Sequence, residues 1–136
     1  MTLDEIVQKL AARSTAPLTP ASPWDPALST QIHACDCAPA LKAGLLLWND
    51  DLDASHRLSQ QIESPTGSYW HAIMHRREGD YWNSKYWFRR VGAHPAMVRI
   101  AQEAGAAFAS APWLANGRYA DLHPELLFRY RLGAGG

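Results

Sequence analysis

Two histidines and a glutamate are spaced so that one helix could present them together. His71, His75 and Glu78 are four and three residues apart in the stretch SYWHAIMHRRE. At 100° per residue, their side chains fall within about 60° of one another on a helix. Imidazoles one turn apart can share a metal ion, and a carboxylate one turn further can be a third ligand or can orient an imidazole. The spacing predicts a divalent-metal site at His71, His75 and Glu78.

A second polar stripe precedes this one in the chain. Its members are Asp53, His56, Gln60 and Glu63, which lie within about 120° of one another on a helix. Packing of the two helices would bring His56 close to His71 and His75. Because histidine titrates near neutral pH, these residues and Glu78 are also candidate acid–base groups. A purely structural role for the histidines is the remaining alternative.

Cationic and aromatic residues continue beyond the histidines. Residues 71–90 carry five cations and two carboxylates, and residues 50–63 carry four carboxylates and one arginine. One interpretation is an anion pocket, because arginine donors suit phosphate or carboxylate and aromatic rings can stack on a planar ligand. Its candidate ligand-binding residues are Arg76, Arg77, Arg89, Lys85, Trp70, Trp82 and Asp53. The other interpretation is that the acidic and basic segments pack together, with ion pairs such as Asp53 to Arg76 or Arg77.

The only cysteines, Cys35 and Cys37, follow His33 in the pattern His-x-Cys-x-Cys. One intervening residue is a poor span for a disulfide. A closed zinc site needs four ligands and usually a wider spacing, so this pattern is a weak metal motif. The sequence predicts two reduced thiols near the start of a helix.

Hydrophobic spacing, caps and breakers predict helices throughout, and no stretch alternates at period two. The predicted helices cover residues 3–13, 40–48, 51–63, 68–78, 81–91, 96–108 and 125–132. A capping box at Thr2 and Glu5 begins the first helix, and Ser64 to Gly67 is predicted to be a loop. Residues 14–38 form a proline-rich connection, extended over 14–26 and weakly helical from Leu28 to about Cys35. The prediction is one all-α domain over residues 1–136, with a flexible tail at 133–136.

A faint internal repeat appears when the chain is shifted by 29 residues. Ala43 then aligns with Ala72, Asp51 with Asp80, Ser55 with Ser84 and Ile62 with Val91. Both units consist of a helix, a tight acidic turn and a second helix. The pattern resembles tetratricopeptide-like hairpins, without their regular 34-residue period. It predicts antiparallel helical hairpins, in a compact bundle or a degenerate tetratricopeptide-like array.

Composition narrows the classes of function. The formal net charge of this 136-residue chain is zero, which argues against a nucleic-acid partner. No apolar run approaches the ~20 residues that a membrane span requires. Acidic residues come early and no signal-peptide apolar region follows them, so a cytoplasmic location is expected.

The stretch from Asp50 to Pro95 resembles a family of uncharacterised bacterial and fungal proteins. The shared block reads DDLDASHRLSQQIESPTGSYWHAIMHRREGDYWNSKYWFRRVGAHP here and covers about a third of the chain. The resemblance implies that its histidines, arginines and other polar residues belong to a shared motif, namely His56, His71, His75, Arg76, Arg77, Glu78, Asn83, Lys85, Arg89 and Arg90. It implies no activity.

These observations support two functional hypotheses. The first is a small soluble helical protein with a His/Arg/Glu pocket, which binds a small anionic ligand or a divalent metal and could be catalytic. The second is a tetratricopeptide-like interaction module without catalysis, whose partner would be another protein or a second copy of the chain. A pocket requires the His71 stripe to face the His56 stripe, whereas an interaction module predicts dispersed or structural histidines.

Overall fold

A computed structural model describes residues 1–110, and this part of the chain contains seven α-helices and no strand. The helices are α1 (Leu3–Ala11), α2 (Pro26–Ala34), α3 (Pro39–Trp48), α4 (Leu52–Ser59), α5 (Pro65–Arg77), α6 (Tyr81–Val91) and α7 (Pro95–Ser110). The all-α prediction is confirmed. The predicted helix over residues 125–132 and the tail at 133–136 lie outside the described residues.

The chain divides into two compact units, Met1–Trp87 and Phe88–Gly136. The candidate site lies entirely in the first unit, and the prediction of a single domain over 1–136 stays a prediction. Within residues 1–110, no helix is long and apolar enough to cross a bilayer.

Side-chain caps fix the starts of the first two helices. The Thr2 hydroxyl accepts from the backbone N–H of Glu5, and the Glu5 carboxylate accepts from that of Thr2, which confirms the capping box. Asp25 caps α2 by accepting from the backbone N–H of Leu28, with Pro26 in the first turn. Helix α2 confirms the weakly helical segment predicted from Leu28 to about Cys35 within the 14–38 connection. It begins two residues earlier, because this cap and proline together start a helix.

The junction between α4 and α5 differs from the prediction. Helix α4 ends at Ser59, four residues before the predicted end at Glu63. Helix α5 begins at Pro65, because Ser64 is its N-cap and proline is favourable in a first turn. Residues 65–67 were therefore wrongly predicted as loop. A Cβ at Gly67 would lie 2.2 Å from the Ile62 carbonyl oxygen, so glycine permits this close approach.

The apolar core of the first unit lies among its first four helices. It contains Ile6, Leu10, Leu28, Ile32, Cys35, Leu45, Leu46 and Ala54. Helix α3 packs against α2, α4 and α5, and α4 packs against α5. These contacts hold α4 and α5 side by side, as a site between them requires.

Hydrogen bonds follow the 29-residue repeat. The buried Ser55 hydroxyl donates to the Ala43 carbonyl oxygen at 2.8 Å, and the Ser84 hydroxyl donates to that of Ala72 at the same distance. Asp51 accepts from the backbone N–H three residues later, and Asp80 does the same. The repeat seen in the sequence therefore corresponds to two helical hairpins with matching internal contacts.

Candidate metal centre

Three histidines from two adjacent helices form one cluster. Helix α4 supplies His56, and α5 supplies His71 and His75. The ring centroids are 4.7 Å apart for His56 and His71, 5.4 Å for His56 and His75, and 4.8 Å for His71 and His75. The two histidine-bearing faces predicted from the sequence therefore meet.

One nitrogen from each imidazole lies within 4.8 Å of the other two. Three histidine nitrogens on a tetrahedral zinc ion are separated by about 3.3 Å, given Zn–N bonds of about 2.0–2.1 Å. Contraction of the longest spacing by up to roughly 1.5 Å would allow all three to bind one ion. His56, His71 and His75, here termed the histidine trio, thus have the residue types and spacing of a metal centre.

His71 has the most enclosed environment of the trio. It is 3% exposed, and its ring stacks on Trp87 with a centroid distance of 3.8 Å and an interplanar angle of 16°. Its buried Nδ1 finds no hydrogen-bond partner among the described residues. A buried polar atom without a partner costs about 1–3 kcal/mol. A metal ion bound at this nitrogen would remove that cost.

Burial favours the neutral, metal-binding form of His56 and His71. Desolvation, followed by the proximity of His56 and His75, lowers the pKa of His71 to about 4. Burial also lowers the pKa of His56, with a further contribution from His75, although Glu78 and Asp53 oppose the effect. Neutral imidazole has the lone pair that a metal ion needs.

Glu78 orients His75. Their Oε1 and Nδ1 atoms are 2.7 Å apart. In the neutral tautomer with the proton on Nδ1, this nitrogen would donate to the carboxylate and Nε2 would keep its lone pair for a metal. This carboxylate–histidine pair is typical of metal sites. His75 and Glu78 also lie within 4.8 Å of Asp80 by their ligand atoms, so oxygen donors border the trio.

Arg77, predicted to bind an anionic ligand, instead makes structural contacts within the protein. It donates to the Asp50 carboxylate at 2.5 Å and to the backbone oxygens of Leu47 and Pro17 at 2.6 and 3.0 Å. Arg13 binds the other carboxylate oxygen of Asp50. Burial alone would raise the pKa of Asp50, but the hydrogen bonds and charges of Arg13 and Arg77 outweigh it and lower that pKa. The ion pair expected between Arg77 and Asp53 is therefore replaced by a buried one with Asp50.

The other predicted ligand-binding residues of the first unit do not converge on the trio. The exposed Arg76 lies over the Tyr81 ring, and Lys85 lies over the Trp82 ring. Trp82 is 80% exposed, so it is not the wall of an enclosed pocket. It borders a shallow depression lined by Gly79, Asp80, Tyr81, Trp82 and Lys85.

Trp70 packs on α3, where its ring lies against Gly44: a Cβ at that glycine would be 2.6 Å from the indole. Its buried Nε1 finds no partner among the described residues. Arg89 is exposed and belongs to the second unit. Neither residue contributes to the trio's ligand atoms.

The stripe on α4 contributes one histidine. Asp53 is exposed, Gln60 is the C-cap of α4, and Glu63 follows the helix and is exposed. The stacking of Trp87 on His71 and the proximity of Asp80 to His75 were not predicted from the sequence. The 29-residue alignment of Asp80 with the capping Asp51 predicted a turn role for Asp80, but no signal indicated the Trp87 contact.

No protein-family model, curated protein or solved structure matches this chain. The resemblance of residues 50–95 to an uncharacterised family and the weaker tetratricopeptide-like resemblance stay predictions.

Proposed function

We propose that this protein binds a divalent transition metal of the zinc class through His56, His71 and His75. Imidazole nitrogen is a good ligand for zinc, copper, iron and nickel. Three protein ligands leave a further coordination position for water or an anion. Of the two ligands expected from the sequence, an anion or a divalent metal, we propose the metal, and we assign no reaction to it.

The observation that carries the proposal is that the buried Nδ1 of His71, a member of a cluster of three imidazoles, has no hydrogen-bond partner within residues 1–110. A histidine with a purely structural role would be expected to form hydrogen bonds with both ring nitrogens or to leave one in water. Low histidine pKa values support the same reading, because no proton needs to be displaced at neutral pH.

Glu78 is assigned as a positioning residue in this proposal. It holds Nδ1 of His75 and leaves Nε2 for the metal. Loss of such an outer partner typically weakens metal affinity by about 10–100-fold. The sequence hypothesis gave Glu78 two roles, ligand or orienting group, and its hydrogen bond favours the second.

The test is metal analysis of protein purified without a histidine tag, followed by titration of chelator-stripped protein with Zn²⁺, Ni²⁺ and Co²⁺. We expect one ion per chain and a melting temperature that rises with metal concentration. A His71→Ala, His75→Ala variant should lose both effects. Glu78→Gln should keep the stoichiometry and bind about 10–100-fold more weakly.

Two matched variants exclude other ligands. His33→Ala removes an exposed histidine outside the trio, and Cys37→Ser removes a thiol. Both should bind metal as the unsubstituted protein does. The proposal would be refuted if the purified protein contained no metal and its melting temperature did not change on addition of any of the three ions. Metal binding that persists in the His71→Ala, His75→Ala variant would refute it as well.

The second candidate is an interaction module, as the alternative sequence hypothesis stated. One observation favours it: Tyr81 and Trp82 on α6 are 57% and 80% exposed. Exposed aromatic residues are frequent in the centres of protein interfaces. A Trp82→Ala variant that loses binding to a co-purifying partner or to a second copy of the chain would support this function.

The cytoplasmic location, based on the early acidic residues, also stays a prediction.

A further inference from the structure

The two cysteines are held together by a tight turn between α2 and α3. The backbone N–H of Cys37 donates to the Cys35 carbonyl oxygen at 3.0 Å, two residues earlier. This i to i+2 hydrogen bond is the pattern of a γ-turn. The Cys35 thiol lies close enough to the Cys37 thiol to contribute, after burial, to a raised pKa of Cys37. The turn therefore brings the backbones of the two cysteines close together.

This geometry changes what the spacing alone suggested. In an extended chain, Cα atoms two residues apart are separated by roughly 7 Å. Disulfides need Cα separations of about 4.4–6.8 Å. The backbone hydrogen bond between Cys37 and Cys35 shortens this separation. The obstacle that the one-residue spacing presents is thus largely removed by the fold.

We infer that Cys35 and Cys37 form a reversible dithiol–disulfide pair that reacts with low-molecular-weight disulfides. Both are free thiols in the structure. Cys37 is half-buried and packs against the edge of the apolar core, whereas Cys35 is 8% exposed and lies within that core. The two thiols consequently have different roles, with Cys37 attacking and Cys35 resolving.

The reaction consists of two exchanges. The Cys37 thiolate attacks one sulfur of oxidised glutathione, forms a mixed disulfide and releases one glutathione thiolate. The Cys35 thiolate then attacks the Cys37 sulfur and releases the second glutathione thiolate. The two protons lost by the cysteines protonate the two leaving thiolates. The protein loses two hydrogen atoms and is oxidised, and one oxidised glutathione becomes two reduced molecules.

The surroundings of Cys37 set the pace of the first exchange. Burial and the neighbouring Cys35 thiol raise the pKa of the Cys37 thiol. Since the thiolate is the nucleophile, the reaction should accelerate as the pH rises toward that pKa. A disulfide that closes such a small ring is strained, so a dithiol reductant should reverse it readily.

The experiment is mass spectrometry of the intact protein after incubation with oxidised glutathione and a chelator, under non-reducing conditions. The unsubstituted protein should lose two hydrogen atoms without gaining an adduct, and dithiothreitol should restore it. Cys35→Ser and the more conservative apolar Cys35→Ala should each accumulate one glutathione adduct, because the resolving thiol is missing. Cys37→Ser should react at least tenfold more slowly than these two variants.

Contrary results are equally specific. A stable glutathione adduct or a covalent dimer on the unsubstituted protein would overturn the inference, because either shows that Cys35 does not resolve the bond. Equal reactivity of Cys35 and Cys37 in the single variants would overturn the assigned order of attack. None of these results depends on metal binding by the histidine trio.

Discussion

The two helical hairpins have the same backbone hydrogen bonds at their turns but different side chains at the aligned interior position. In the first hairpin, α3 and α4, Asp51 donates its backbone N–H to the Leu46 carbonyl at 2.9 Å. In the second, α5 and α6, Asp80 donates in the same way to His75 at 2.8 Å. The repeat aligns Leu46 with His75, 29 residues later. Leu46 is fully buried in the apolar core, whereas His75 belongs to the histidine trio.

The turns of the two hairpins also differ. Both use a residue with positive φ directly before the capping aspartate: Asp50 at 62° and Gly79 at 87°. Glycine adopts this conformation without strain, whereas for a residue with a Cβ the conformation costs about 1–2 kcal/mol of free energy. Asp50 is held there by its buried ion pairs with Arg13 and Arg77. The first turn is therefore a structural anchor, and the second is a plain turn beside the candidate metal centre.

The comparison shows how one framework can separate stability from function. Caps, turns and serine–carbonyl bonds recur in both hairpins and fix the helices. The first hairpin uses its interior for apolar packing and its turn for a buried charge network. The second hairpin has a polar residue, His75, at the position that corresponds to Leu46. We expect substitutions in the core and turn of the first hairpin to change stability most. Substitutions of the histidine trio, which are His56 on α4 and His71 and His75 on α5, should change ligand and proton binding.

The largest expected effect comes from Asp50→Gly, which makes the first turn chemically like the second. Glycine accepts the positive φ, so the substitution removes the ion pairs without adding backbone strain. Two buried guanidinium groups would lose their carboxylate, and breaking such a pair typically costs about 3–5 kcal/mol. Urea unfolding should show a loss of this size in the free energy of unfolding.

The reciprocal variant, Gly79→Asp, is the matched control. In the described part of the chain, no atom beyond the two adjacent residues lies within 4 Å of a Cβ at this position, so only the backbone strain of about 1–2 kcal/mol is expected. If Asp50→Gly costs no more than Gly79→Asp, the buried network is not what stabilises the first turn.

The next effect is the pH dependence of the metal-free protein. The pKa of His71 is about 4 in the folded state, against 6.5 for an unperturbed histidine. Between these values the unfolded chain binds a proton that the folded protein excludes, so stability falls as the pH falls. The difference corresponds to about 3 kcal/mol, lost between pH 6.5 and pH 4 and constant above that range.

Unfolding in urea at several pH values, with a chelator present, measures this loss. His71→Leu is the matched variant, because leucine can still pack against the Trp87 ring but has no group that binds a proton. Its free energy of unfolding should fall less steeply below pH 6.5, by up to about 3 kcal/mol in total. Parallel pH curves for the two proteins would show that His71 is not buried in its neutral form.

Much of this arrangement could be predicted from local sequence. Helical spacing places His71, His75 and Glu78 on one face, and the 29-residue repeat identifies the paired hairpins. The prediction that His56 faces them needed only side-by-side packing of two consecutive helices. These features depend on neighbours close in sequence, which periodicity reports directly.

The remainder depends on long-range contacts. Arg77 was a plausible anion donor from its charge, but its partners Asp50 and Pro17 are 27 and 60 residues away. Nothing in its own neighbourhood distinguishes a buried structural arginine from a binding one. The early end of α4 and the tight approach of Gly67 to Ile62 likewise depend on how the helices pack. The spacing of the cysteines suggested little until the turn between them was known.

The smallest effect tests the equivalence of the hairpins directly. Ser55→Ala and Ser84→Ala each remove one buried hydroxyl that donates to a helix carbonyl 12 residues earlier. Each should lower the free energy of unfolding by about 1 kcal/mol, because the carbonyl loses one hydrogen bond of ordinary strength. Ser22→Ala, at an exposed position, should change stability by less than about 0.5 kcal/mol. Equal losses in the free energy of unfolding at Ser55 and Ser84 would mean that the two hydrogen bonds contribute equally to stability. A measurable loss at only one of them would mean that the two hairpins share this geometry but not its energetic contribution. That distinction matters for the metal centre, because the Ser84 bond fixes α6 against α5 at Ala72, the residue next to His71.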